Sequence, residues 1–197
     1  MIVRAILLSS LVAAPAWAAC PVAADLTTGI RLVDQNGVVE TYRTLRPHVV
    51  ELIVDYGDDY SDRVSLARGV YTLDVVEEYN GVPDFGTRSS YAYQVAPEAM
   101  PLPTPGEVWR TRARVDDTYD DKMTASWGDP ITMTYGDCTY AVIPGELVYT
   151  GEGYSQTEGL HYLPEIGIAY LTTFSTDADG VVDTYTVVSI TAVGDGG

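Results

Sequence analysis

From residue 30 onward the chain repeats one pattern: a short run in which alternate residues are apolar, closed by a pair of turn-forming residues. A period of two puts one side of an extended segment toward a core and the other toward water. No window of 11 or more residues after position 18 carries a convincing 3.6-residue helical period. Residues 30–33 lead through Asn36-Gly37 into 38–44, and Asn-Gly supplies the positive φ that a two-residue hairpin needs. Val50, Leu52, Val54 and Tyr56 then share one face and Glu51 and Asp55 the other. Tyr71, Leu73 and Val75 repeat the pattern before Asn80-Gly81, as do Tyr91, Tyr93 and Val95.

Prolines 97, 101, 103 and 105 mark residues 97–106 as an ordered extended connection, because proline removes ladder donors and fixes φ. Beyond it Trp109, Thr111, Ala113 and Val115 face one way and Arg110, Arg112 and Arg114 the other. The acidic stretch 116–121 reads as a loop. Further strands are expected over 123–127, 131–135, 138–143, 147–150, 160–163, 168–174 and 182–190, with turns at Gly136-Asp137, Pro144-Gly145 and Asp179-Gly180. Fifteen tyrosines with many valines and threonines suit pleated, half-buried faces. The expectation is an all-β chain: residues 19–197 as a single antiparallel domain, a strongly curved sheet or incomplete barrel, with a β-sandwich as the alternative.

Ahead of the strands, Arg4, an apolar run over 5–14 and Ala16-Trp17-Ala18 have the layout of a secretory signal peptide ending at residue 18. The run is too short to span a bilayer, and no later one is long enough, so the remaining chain is expected in the periplasm or outside the cell with no transmembrane segment. A lipid anchor on Cys20 is the alternative. The other cysteine is Cys138, and an oxidising compartment favours a Cys20–Cys138 disulfide. Acidic residues outnumber basic ones 28 to 11, a balance that repels nucleic acid and anionic membranes.

Signatures of catalysis are sparse. His48 and His161 sit in no catalytic or metal spacing, and no G-x-S-x-G elbow is present. Glu107, Glu152, Glu158 and Glu165 lie where a paired-acid glycosidase could draw its carboxylates, with nothing to select among them. Asp177, Asp179 and Asp183 around Gly180 echo part of a calcium loop without its flanking helices, and an ordinary hairpin turn explains them as well. Arg110, Arg112 and Arg114, beside Trp109, form a candidate anionic-ligand stripe if the face is concave, and cross-strand acid partners if it is not.

Tyr162-Leu163-Pro164-Glu165-Ile166-Gly167 resembles the Y-x-P-E-L-G box of uncharacterised exported β-rich proteins of Gram-negative bacteria, with Ile166 in place of Leu. The resemblance covers the second half of the chain and implies envelope residence and β architecture, with no catalytic role. Physically, Pro164 and Gly167 make a tight bend that Tyr162 and Ile168 anchor, with Glu165 accepting backbone hydrogen bonds inside it. The functional expectation is a non-enzymatic exported protein that binds an amphipathic or apolar small molecule, or an envelope protein, and needs no cofactor. The alternatives are a carbohydrate-active enzyme or sugar-binding module, with Trp109 or Trp127 beside two acids, and a structural component of envelope assembly.

Overall fold

The computed structural model describes residues 19–178 and 180–194, so the leader read over 1–18 and Asp179 lie outside the described residues. Within them run fourteen strands: β1 (Ile30–Asp34), β2 (Val39–Arg46), β3 (Val49–Gly57), β4 (Tyr60–Ala67), β5 (Tyr71–Tyr79), β6 (Val82–Tyr93), β7 (Val108–Val115), β8 (Tyr119–Trp127), β9 (Ile131–Tyr135), β10 (Cys138–Gly151), β11 (Tyr154–Leu163), β12 (Ile168–Thr176), β13 (Val182–Thr184) and β14 (Val187–Ala192). All pairing is antiparallel and belongs to one sheet, in the order β13-β12-β11-β10-β8-β7-β6-β5-β4-β3-β2-β1-β14, with β9 added beside β10. This is the all-β sheet that the alternation predicts, curved as its successive hairpins lead one to expect, and it is continuous where a sandwich would be divided in two. The ladder does not close into a barrel.

Its two ends nevertheless lie side by side. β13 and β14 are successive segments joined at Tyr185 and Thr186. The Tyr185 amide donates to the Thr172 carbonyl on β12 at 2.8 Å, while the Thr186 carbonyl accepts from Gln35 beside β1 at 2.9 Å. The stretch 182–190, expected as one strand, is therefore split, and its two parts serve opposite ends of the sheet.

Turn chemistry sets the strand ends. The Asn36-Gly37 turn has Gly37 at φ 89°, and Asn80-Gly81 has both residues at positive φ, 53° and 71°. Residues 97–106, expected as extended throughout, begin as a short 3₁₀ turn, Pro97–Ala99, and end in a turn at Pro105-Gly106, where Gly106 has φ 77° and the Thr104 carbonyl accepts from the Glu107 amide. The Met100 side chain is buried, and the Tyr71 hydroxyl donates to the Pro101 carbonyl at 3.1 Å. The halves on either side meet in one sheet through β6 and β7, where Tyr91 opposes Val115.

Three further expectations are corrected. The acidic loop over 116–121 shrinks to a turn at 116–118, because β8 begins at Tyr119 and buries Asp121. Residues 138–143 and 147–150 are one strand, β10, which passes through Pro144-Gly145 and changes partner there, from β9 to β8. Tyr71, Leu73 and Val75 do not share a face. A bulge places Ser65 opposite Asp74 but Leu66 opposite Thr72, so Thr72 and Val75 turn inward together.

The apolar interior falls into two clusters. One gathers Leu32, Tyr42, Leu52, Leu66, Tyr140, Leu163, Ile168 and Tyr170. The other gathers Tyr71, Met123, Trp127, Leu147, Tyr149, Leu160 and Tyr162. β12 contributes to both, Ile168 and Tyr170 to the first and Ala169 to the second.

Candidate functional site: an apolar cavity with two half-buried carboxyls

Between the clusters the curled sheet encloses a cavity of about 400 Å³. Its lining follows the strand period: Leu32 and Asp34 from β1; Glu40 and Tyr42 from β2; Leu52, Val54 and Tyr56 from β3; Val64 and Leu66 from β4; Glu158 and Leu160 from β11; Ala169 and Leu171 from β12. These are inward positions of adjacent strands, spaced by two, as a concave sheet face requires. Tyr42 and Leu66 are buried, while Tyr56 and Asn36 reach the exposed hairpin tips. The cavity therefore has an apolar floor and a rim at the tips. Cavities of this size with few polar groups are the usual form of small-molecule sites.

Among the lining residues are three carboxyl side chains and no lysine, arginine or histidine. Asp34 is committed to the hairpin: its Oδ1 accepts from the amides of Asn36 and Val38 at 2.7 and 2.9 Å. Glu40 lies between Leu32 and Val54 on the neighbouring strands, and Glu158 between Leu147 and Phe174. Neither has a cross-strand cation. Burial pushes Glu40 up to about 7, with the charge of Asp34 adding and the Tyr42 hydrogen bond opposing. Burial likewise pushes Glu158 up to about 7, opposed by its bond from Gln156.

Each carboxyl spends one oxygen on a neighbour. The Tyr42 hydroxyl lies 2.6 Å from Glu40 Oε2 and 3.2 Å from the Ala169 carbonyl. With Glu40 ionised, the one phenol proton goes to the carboxylate; with Glu40 protonated, Glu40 donates to Tyr42 and the phenol proton turns to Ala169. Both states are accommodated by rotating one hydroxyl. Gln156 Nε2 donates to Glu158 Oε1 at 2.6 Å.

The residues singled out from sequence are dispersed. Arg110, Arg112 and Arg114 are exposed, whereas Trp109 points to the opposite side against Tyr71, ring centroids 4.8 Å apart. The arginines are thus on the outer face, where Arg112 pairs with Asp120 at 2.5 Å. Trp109 and Trp127 share a small crevice of about 130 Å³ with one acid, Glu107. Among the described residues no group of three or more His, Cys, Asp or Glu is placed to hold a metal. His161 packs edge-on to Tyr170, and its Nδ1 lies 2.8 Å from that hydroxyl.

Cys20 and Cys138 form a disulfide with Cα atoms 5.5 Å apart. The N-terminal segment is further held by the Tyr140 hydroxyl, which donates to the Pro21 carbonyl at 3.0 Å, and by the Ala23 amide, which donates to Glu165. The Tyr162–Gly167 bend has Gly167 at φ 86°, and the Leu163 carbonyl accepts from the amides of Ile166 and Gly167. The Glu165 side chain is exposed, and its backbone carbonyl is what carries the contact to Ala23.

Of the four glutamates drawn from sequence, Glu158 alone lines the cavity. Glu40 carries no motif in the sequence, although the alternation Val38, Glu40, Tyr42 puts it on an inward phase.

Fold and cavity together define a class: an all-β protein whose single curled antiparallel sheet encloses a carboxyl-bearing apolar cavity. No family model, curated protein or solved structure matches the chain.

Proposed function

We propose that the chain acts by binding, its cavity taking an apolar or amphipathic small molecule in an oxidising compartment outside the cytoplasm. One observation carries this reading: about 400 Å³ of space lined mostly by Leu, Val and Tyr side chains, whereas the roughly 490 Å³ hollow beside Trp127 and His161 is more open and lined largely by glycine and polar residues. The leader read over residues 1–18 and the Cys20–Cys138 bond support periplasmic or extracellular residence. A bonded Cys20 also leaves no thiol for a lipid anchor.

The uncharged probe N-phenylnaphthylamine tests the proposal. Its emission should rise and saturate at one probe per chain. Leu160→Trp, which fills the cavity from β11, should weaken that binding at least tenfold. Absence of saturable binding by the folded wild-type chain overturns the reading.

A second reading, a carbohydrate-active enzyme, is favoured by two carboxyls lining one cavity, both titrating near neutral pH. It requires turnover of chromogenic aryl glycosides that is lost in Glu40→Gln or Glu158→Gln.

A further inference from the structure

The cavity is apolar in shape but one-sided in charge. Its three carboxyls face no lining cation, and both Glu40 and Glu158 have aliphatic or aromatic neighbours on each adjoining strand. A carboxylate taken out of water is costly unless it is paired. The protein's own nearby devices are a phenol for Glu40 and an amide for Glu158, each engaging one carboxyl oxygen. Neither device supplies positive charge.

We propose that the ligand is a cationic amphiphile, an alkyl body carrying a protonated nitrogen, for which Glu40 and Glu158 supply the counter-charge. This rests on the cavity being a binding site. The alkyl body fits the floor made by Leu52, Leu66, Leu160 and Leu171.

The rim points the same way. Tyr56 lines the cavity and stacks on Tyr60, centroids 5.4 Å apart, and Tyr60 lies 5.2 Å from Tyr79. The Tyr56 hydroxyl donates to Asp62 and that of Tyr79 to Glu77. Aromatic faces backed by carboxylates attract a cation and repel an anion on its way to the mouth.

Three probes of equal chain length separate the possibilities: decylamine, decanol and decanoate, each competing with N-phenylnaphthylamine at pH 8. Decylamine should bind at least tenfold more tightly than decanol, and decanoate more weakly than both. Glu40→Gln and Glu158→Gln should each erode the preference for the amine while decanol affinity stays within twofold; Asp137→Asn, on the β9–β10 turn, should leave all three unchanged. Equal affinity for amine and alcohol, or a preference for decanoate, overturns the cationic assignment and leaves the binding reading standing. Failure of the wild-type chain to bind the fluorescent probe removes both. If a glutamine variant does not fold, the rank order in the wild-type chain decides alone.

Discussion

Glu40 and Glu158 occupy inward positions that strand alternation otherwise gives to apolar side chains, and that placement makes the fold itself sensitive to pH. Their folded values near 7 lie above the unfolded value of 4.5, so between those limits the native chain holds more protons than the unfolded one. Stability then falls as pH rises from 4.5 to 7 and levels off above. The charges and phenols facing Glu40 are Asp34, Tyr42, Tyr56 and Tyr170, and those facing Glu158 are Tyr91, Tyr93 and Tyr149, so no lining cation reverses the sign. Glutamine at either position removes that group's share of the slope. In the ligand-free chain at pH 8, Glu40→Gln should be more stable than wild type by on the order of 2 kcal/mol, and at pH 4 nearly equal to it. Urea midpoints at pH 4, 6 and 8 read this directly, and parallel curves for the two chains would contradict it.

At the level of strands, the close packing of β10 against β8 turns on Gly145. It stands directly opposite Trp127, and a Cβ there would come within 2.2 Å of the indole ring. Gly145→Ala must therefore displace a buried tryptophan. Overpacking of this kind costs about 1–3 kcal/mol. Denaturant unfolding should show that loss, accompanied by a red shift of tryptophan emission in the native state. How legible such elements are in the sequence depends on whether their cause is local. Asn36-Gly37 and Asn80-Gly81 announce their hairpins because the turn needs residues that tolerate positive φ. β4 is hard to read because its apolar alternation is only two residues long, Val64 and Leu66, with Asp62 on the same phase, and the charge of Arg63 finds its reason only across strands, where it meets buried Glu78 at 2.6 Å. In the sequence β10 reads as two strands, because proline normally ends a strand. Here the Pro144 carbonyl accepts from Gly128, so its nitrogen faces the gap where β9 gives way to β8 and no ladder bond is lost. The cavity was unreadable for the same reason: it arises from inward residues of many strands, and alternation names the faces without saying that the sheet curls around them.

On the scale of the whole molecule, the N-terminal segment and the start of β10 are joined by one covalent link. The Cys20–Cys138 bond spans 118 residues of chain, and nearby the Pro21 and Glu165 carbonyls accept from Tyr140 and Ala23. By the loop-entropy model a cross-link over so long a stretch restricts the unfolded chain by about 5 kcal/mol, an ideal figure that residual unfolded structure reduces. Neither cysteine is among the residues that line the cavity, although Cys138 packs in the same apolar cluster as its floor. The double variant Cys20→Ser/Cys138→Ser should therefore separate stability from binding. Its urea midpoint should drop by the equivalent of several kcal/mol, with the loss reproduced in wild type by a reducing agent, while probe affinity in the still-folded variant stays within about twofold. A matching loss of affinity under native conditions would mean instead that the link holds the cavity open, and the N-terminal segment would then belong to the binding site.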